Sequence, residues 1–234
     1  RRGRASGNYP ANCLKVLGAS IKGGKIHTGQ DAFSYGGYEP LSPNEQEEDV
    51  QYTVDIDGDE EIVHPMPKLI KDGKTKTFKM NSPAQKVRKS RLVTTNSQTG
   101  EKKVRGDSPH RGQDFACPVG TPILAYAKGK VTFAKYNGGA GNTVMIEHPQ
   151  ITNVKDGNFS GVLKTVYMHF SEFDVKKDDE VTAGQIIGKA GSTGAVTGPH
   201  LHFQIRLGQN KGSYNNSLYN ELLKNAKQLE VTEE

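Results

Sequence analysis

The chain has 234 residues, with 31 Lys and Arg against 26 Asp and Glu and a net charge of +5 when histidine is neutral. That length fits one or two domains, and a hydrophobic fraction of 33 % supports one modest core, not two large ones. Two cysteines exclude a disulfide framework. No apolar run reaches the roughly 18 residues of a membrane-spanning helix, and the small charge excess argues for no nucleic-acid partner.

Arg1-Arg2-Gly3-Arg4 has neither an initiator methionine nor the apolar stretch of a secretory signal, so we expect a processed product or a piece of a longer chain. Charge is uneven: residues 1–80 hold 11 Lys and Arg with 12 Asp and Glu, and residues 81–234 hold 20 and 14. The first 44 residues are rich in Gly, Pro, Ser and Asn. We read residues 1–79 as a loop- and strand-rich arm or the remnant of an upstream domain. Within it, residues 52–56 and 75–80 alternate as half-exposed strands. Asp57-Gly58 follows the first and Asp72-Gly73 precedes the second as turn signals.

From Pro118 the pattern changes. Residues 121–126, 130–136, 143–148, 162–170, 185–189 and 201–207 are short, rich in Val, Ile, Thr, Tyr and Phe, and separated by Gly-containing turns. They read as strands, with Gly138-Gly139-Ala140-Gly141-Asn142 as the clearest hairpin turn. Closely spaced strands without intervening helices predict an antiparallel all-β domain, placed at residues 80–212. At 213–234, Leu218, Leu222, Leu223, Ala226 and Leu229 form one apolar stripe, which predicts a docking helix capped by Asn216 or Ser217. The expected fold class is mainly β: an antiparallel sheet or sandwich with a loop-rich N-terminal segment and a C-terminal helix.

Three of the histidine groupings carry chemistry. His200-Leu201-His202 opens a predicted strand, where residues i and i+2 share a face. The two imidazoles then lie side by side, with Leu201 and Phe203 turned to the core. His110-Arg111-Gly112-Gln113-Asp114 supplies one nitrogen and one carboxylate. With His202 these make a set of two imidazoles and one carboxylate, suited to one Zn2+ that keeps a fourth position for water. An ion with that ligand set retains positive charge and lowers the pKa of water towards about 7. His200 and Met168-His169 remain for a general base and for a proton donor or oxyanion stabiliser.

In combination these residues resemble the lysostaphin/LytM-type zinc endopeptidases of peptidase family M23. The resemblance covers residues 80–210. It rests on His110-x-x-x-Asp114 running into Asp-Phe-Ala-x-Pro-x-Gly-Thr-Pro, on Gly141-Asn142-Thr143-Val144 with His148, and on Tyr167-Met168-His169. It ends in Gly191-Ser192-Thr193-Gly194 leading to Gly198-Pro199-His200-Leu201-His202-Phe203. It implies a small antiparallel β domain with a groove over the metal. It implies that His110, Asp114 and His202 bind zinc, and that His169 and His200 are catalytic, with His200 the base. The activity implied is cleavage of bacterial peptidoglycan peptides, at glycyl or at D-Ala/diaminopimelate bonds, outside the cell or in its envelope. Two departures stand out. Cys117 occupies a position more often Ala, and the polar stretch 150–164 is longer than a tight hairpin and is expected to form a groove wall.

Other features carry less. Asp55-Ile56-Asp57-Gly58-Asp59 has its glycine at the wrong place for an EF-hand loop and reads as a solvated acidic turn. His27 and His64 lie apart from the motifs. His148 is expected in a supporting or strand position, and the basic run 86–91 as a solvated face. Cys13 and Cys117 are not required to pair. The alternative to an enzyme is a non-catalytic module that binds peptidoglycan or activates a hydrolase. Without a signal peptide or wall-anchor repeat, we also expect membership of a larger envelope or virion assembly, such as a phage tail.

Overall fold

The computed structural model describes residues 20–22, 25–27, 52–88, 93–95, 102–104 and 108–232. Two compact units divide between Asp49 and Val50. Of the first unit, the described part is an antiparallel pair, Ser20–Lys22 with Lys25–His27. The remainder, including Cys13, lies outside the described residues.

The second unit is organised by the strand His200–Leu207, in which Leu201, Phe203, Ile205 and Leu207 are at most 1 % exposed while His200, His202 and Arg206 are half-buried. That alternation commits one face of the strand to the core. Each large side chain so buried contributes about 1.5–3 kcal/mol. Seven strands run in the spatial order Glu180–Val181, Gly129–Tyr136, Asn142–His148, Leu163–Phe173, His200–Leu207, Gln113–Ala116 and Met80–Ser82. Ile186–Ala190 pairs with both Leu163–Phe173 and Pro122–Leu124 and completes the sheet. The expected antiparallel order holds; among the described residues the pairing of Glu230–Thr232 with Lys68–Lys71 is parallel.

Several predicted elements differ in detail. The stretch expected as one strand at 75–80 is two, Lys74–Lys76 and Met80–Ser82, in different sheets. The helix is Asn216–Lys224, and its cap is Asn215, whose side chain accepts the Leu218 amide. Asn216 is spent otherwise: its Oδ1 accepts the Ala84 amide and the Gln113 side chain. Leu229 lies beyond the helix. The stretch 150–164 is built in part of strands. Val154–Asp156 and Phe159–Ser160 form a small sheet with Tyr52–Val54. This insertion leaves the central sheet where His148 pairs with Leu163 and Leu163 with Leu207, five residues along the strand from the pair Met168 and His202.

Residues 52–79 belong with this unit. Val63 donates to the Tyr126 carbonyl and Lys68–Lys71 pairs with the chain's last described strand, so position 79/80 falls inside the unit. The acidic turn is built as expected, with the Asp59 amide on Asp57 Oδ1. Cys117 is a buried free thiol, and burial raises its pKa to about 11.

Candidate metal centre

Register brings the first two groups together. Asp114 stands directly opposite His202, and Met168 faces His202 from the other neighbouring strand. Residues directly opposite in an antiparallel pair share a face at Cα spacings of about 4.5–5.5 Å, so the carboxylate and the imidazole meet without any loop. His110 arrives from the strand Ser108–His110 through the turn at Arg111-Gly112. Gly112 is required there. A Cβ on it would lie 2.5 Å from His202 Nε2 and 2.6 Å from the Phe203 carbonyl oxygen.

The outer hydrogen bonds decide which ring nitrogens face inward. His110 Nδ1 donates to the Pro83 carbonyl at 2.7 Å, which leaves Nε2 with a lone pair. Gln204 uses its Nε2 on the Lys211 carbonyl and turns Oε1 towards His202 Nε2 at 3.4 Å, leaving the lone pair of His202 on Nδ1. These two nitrogens and Asp114 Oδ1 form a triangle with edges of 2.8, 3.1 and 3.3 Å. A tetrahedral site with bonds near 2.0–2.1 Å needs edges of about 3.3 Å. Three lone pairs aimed at one point without a proton between them call for a cation. Among the described residues these three form the group whose ligand atoms all lie within 4.8 Å of one another. Burial alone would raise the Asp114 carboxyl. With a proton on the imidazoles in place of an ion, His110 and His202 outweigh it and hold the group well below the usual carboxylate range. Burial lowers the pKa of His202, and Asp114 offsets part of that.

The other two histidines stand beside the triangle. His200 donates from Nδ1 to the Gly198 carbonyl at 2.9 Å, and its Nε2 is 3.8 Å from Asp114 Oδ1. His169 donates from Nδ1 to the Thr193 carbonyl at 2.8 Å, and its ring centre is 4.7 Å from that of His200. Burial lowers its pKa to about 4, with the Thr193 bond partly offsetting the shift. Strand alternation would have turned His169 away. With Met168 on the site face, the next residue belongs to the core. Instead His169 adopts φ +69°, a left-handed conformation that costs a non-glycine residue about 1–3 kcal/mol. The alternation breaks, Tyr167 and Phe170 both enter the core at 0 % exposure, and the ring joins the site.

All five side chains singled out by motif are thus gathered. Sequence reasoning missed Gly112, Gln204, Thr193 and the Pro83 carbonyl. Only Gly112 and Thr193 left a trace, as members of the quoted motifs.

Residues 108–217 match the family model for peptidase family M23. This stretch is an M23 metallopeptidase domain. The chain is similar to the peptidoglycan DD-endopeptidase ShyA of Vibrio cholerae, 43 % identical over 42 % of this chain and 20 % of the relative. It is also similar to the glycyl-glycine endopeptidase ALE-1 of Staphylococcus capitis, 46 % identical over 41 % of this chain and 24 % of the relative. The match to these curated relatives spans about a quarter of their length or less. Among solved structures, the catalytic domain of the antimicrobial peptidase lysostaphin from Staphylococcus simulans is 32 % identical, with a TM-score of 0.43, over 59 % of this chain and 86 % of that domain. No helix among the described residues is long and apolar enough to cross a membrane.

Proposed function

We propose that this chain is a zinc-dependent endopeptidase that hydrolyses peptide cross-links or stem peptides of bacterial peptidoglycan, acting in the cell envelope or outside the cell. The observation that carries it is the triangle of His110 Nε2, His202 Nδ1 and Asp114 Oδ1, with two further imidazoles at its rim. Two neutral nitrogens and one carboxylate fit zinc with an open position. A zinc ion held there supplies Lewis-acid polarisation of the scissile carbonyl and a water of lowered pKa.

The chain's own groups do the rest. His200 and His169 each fasten Nδ1–H to a backbone carbonyl and keep Nε2 for the reacting atoms. We assign His200 as the base, since its Nε2 is 3.8 Å from Asp114 Oδ1, at the rim of the triangle that would hold the ion. His169, with its ring centre 4.7 Å from that of His200, takes on Nε2 the proton that His200 removes from the attacking water and donates it to the developing oxyanion or the leaving amine. The names of the relatives, one a DD-endopeptidase and one a glycyl-glycine endopeptidase, support a peptide of the cell wall as the substrate class.

Mass spectrometry of muropeptides released from purified walls tests this reading. The parent protein should release products cut at one type of peptide bond. Asp114→Ala should lose bound zinc, by more than the 10- to 100-fold that loss of an outer partner costs, and lytic activity with it. An Asp114→Ala protein that still lyses walls would refute the assignment. A parent protein that holds zinc and binds walls yet releases nothing would make it a binding module.

A further inference from the structure

We propose that Thr193 is a positioning residue for His169, acting through its hydroxyl; this rests on the catalytic role assigned to His169 above. His169 sits inside a strand at φ +69°, so something must keep the chain from relaxing to the extended form. Thr193 holds both parts of this unit. Its carbonyl takes the His169 Nδ1–H at 2.8 Å, and its hydroxyl donates to the carbonyl of Phe170, the next residue, at 2.9 Å. The same hydroxyl accepts the Asn142 amide at 2.9 Å, and the Asn142 side chain in turn donates to the Phe170 carbonyl at 3.1 Å. One side chain therefore ties the turn at residues 138–142 to the backbone that follows His169.

The approach is close enough to require glycine. Gly141 has φ +64°, and a Cβ there would run into the Thr193 carbonyl and hydroxyl. The Ala195 amide on the Gly139 carbonyl, at 2.9 Å, closes the same crossing of two loops. The ring sets the consequence. If the backbone relaxed, alternation would carry the imidazole to the opposite face and away from His200, now 4.7 Å from it. Thr193 hydrogen-bonds none of the three metal-ligand side chains, so its hydroxyl governs the ring of His169 and leaves the ion alone.

The full chain, zinc-loaded and labelled with 15N-histidine, tests this by NMR and by muropeptide release. The parent protein should show His169 as the single Nδ1–H tautomer. Thr193→Val, which keeps the branched shape and removes the hydroxyl, should mix the tautomers. It should lower kcat between about ten- and a hundredfold, as a small misplacement of a reacting group does, with zinc content and KM little changed. Thr193→Ser should restore both tautomer and rate. An Nε2–H tautomer in the parent, or a folded Thr193→Val protein with parental tautomer and kcat, would overturn the proposal. So would a failure of Thr193→Ser to rescue. If the parent protein releases no muropeptides, the peptidase reading falls, while the tautomers of the parent and the valine variant still decide the role of Thr193.

Discussion

The same sheet carries buried histidine at two places, and the contrast separates a structural ring from the candidate metal centre. His148 is fully buried, as are Thr165, Tyr167 and Tyr126 around it. Its Nδ1 donates to the Lys128 carbonyl at 2.8 Å, and its Nε2 accepts the Thr165 hydroxyl at 2.8 Å. That hydroxyl is bonded to the Tyr167 hydroxyl at 3.0 Å, which accepts the Tyr126 amide at 2.8 Å. Every polar atom of the ring is used. His169 and His200 also fasten Nδ1 to a backbone carbonyl, and His110 does the same with Pro83. At these three the second nitrogen faces the site. A buried histidine with both nitrogens satisfied stabilises the fold; one with a lone pair left over binds or reacts.

Four changes would break or sharpen that contrast. The largest effect is expected for Gly112→Ala, whose Cβ would crowd the His202 ring. Metal binding should weaken more than about a hundredfold, beyond the loss of a supporting bond, while the His148 region stays intact. Metal content after dialysis against a chelator reads the first, and histidine NMR the second. His148→Leu should do the reverse, lowering stability by about 1–3 kcal/mol at neutral pH through the lost ring bonds to the Lys128 carbonyl and the Thr165 hydroxyl, with metal affinity unchanged. Urea unfolding measures it.

The pH dependence of that second variant separates the two regions further. Burial lowers the His148 pKa to about 4 from the usual 6.5. Between those values the unfolded chain binds a proton that the fold excludes, so stability falls as pH drops from about 6.5 to 4. The His148 contribution to that loss reaches about 3 kcal/mol. His148→Leu lacks it, and the gap between parent and variant should narrow over this window. A gap that stays constant would remove His148 as the cause.

Gln204→Ala should act at the metal centre and free the Lys211 carbonyl, leaving the His148 region unchanged. Removing the amide that faces His202 Nε2 should weaken zinc about tenfold, the lower end for an outer partner, as read by chelator competition. The smallest effect belongs to neither region. Asn215→Ala removes the cap on the Leu218 amide and should cost about 1 kcal/mol, seen in thermal unfolding with metal affinity intact.

Much of the site was legible because strand alternation and residue type travel together in a sequence. His200 and His202 share a face by period, His110 and Asp114 stand out together as a nitrogen and a carboxylate, and the core partners Leu201 and Phe203 follow from the same alternation. His169 was legible by motif and illegible by geometry, since alternation places it on the wrong side and only the left-handed backbone brings it back. The stretch 150–164 misled for a related reason. Its polarity is that of a loop, and nothing local reports that it pairs with Tyr52–Val54, about a hundred residues earlier in the chain.

Residue identity and periodicity by themselves determined the antiparallel β class, the terminal helix and the shared face of His200 and His202, because each is a property of neighbours along the chain. The tertiary structure alone decided the inward nitrogen of each imidazole, the turn of His169 and the register that sets Asp114 against His202. Those depend on carbonyls from Pro83, Gly198 and Thr193 and on strand pairings between distant segments. A backbone carbonyl is the same in every residue, so no spacing of letters announces which one a histidine will meet.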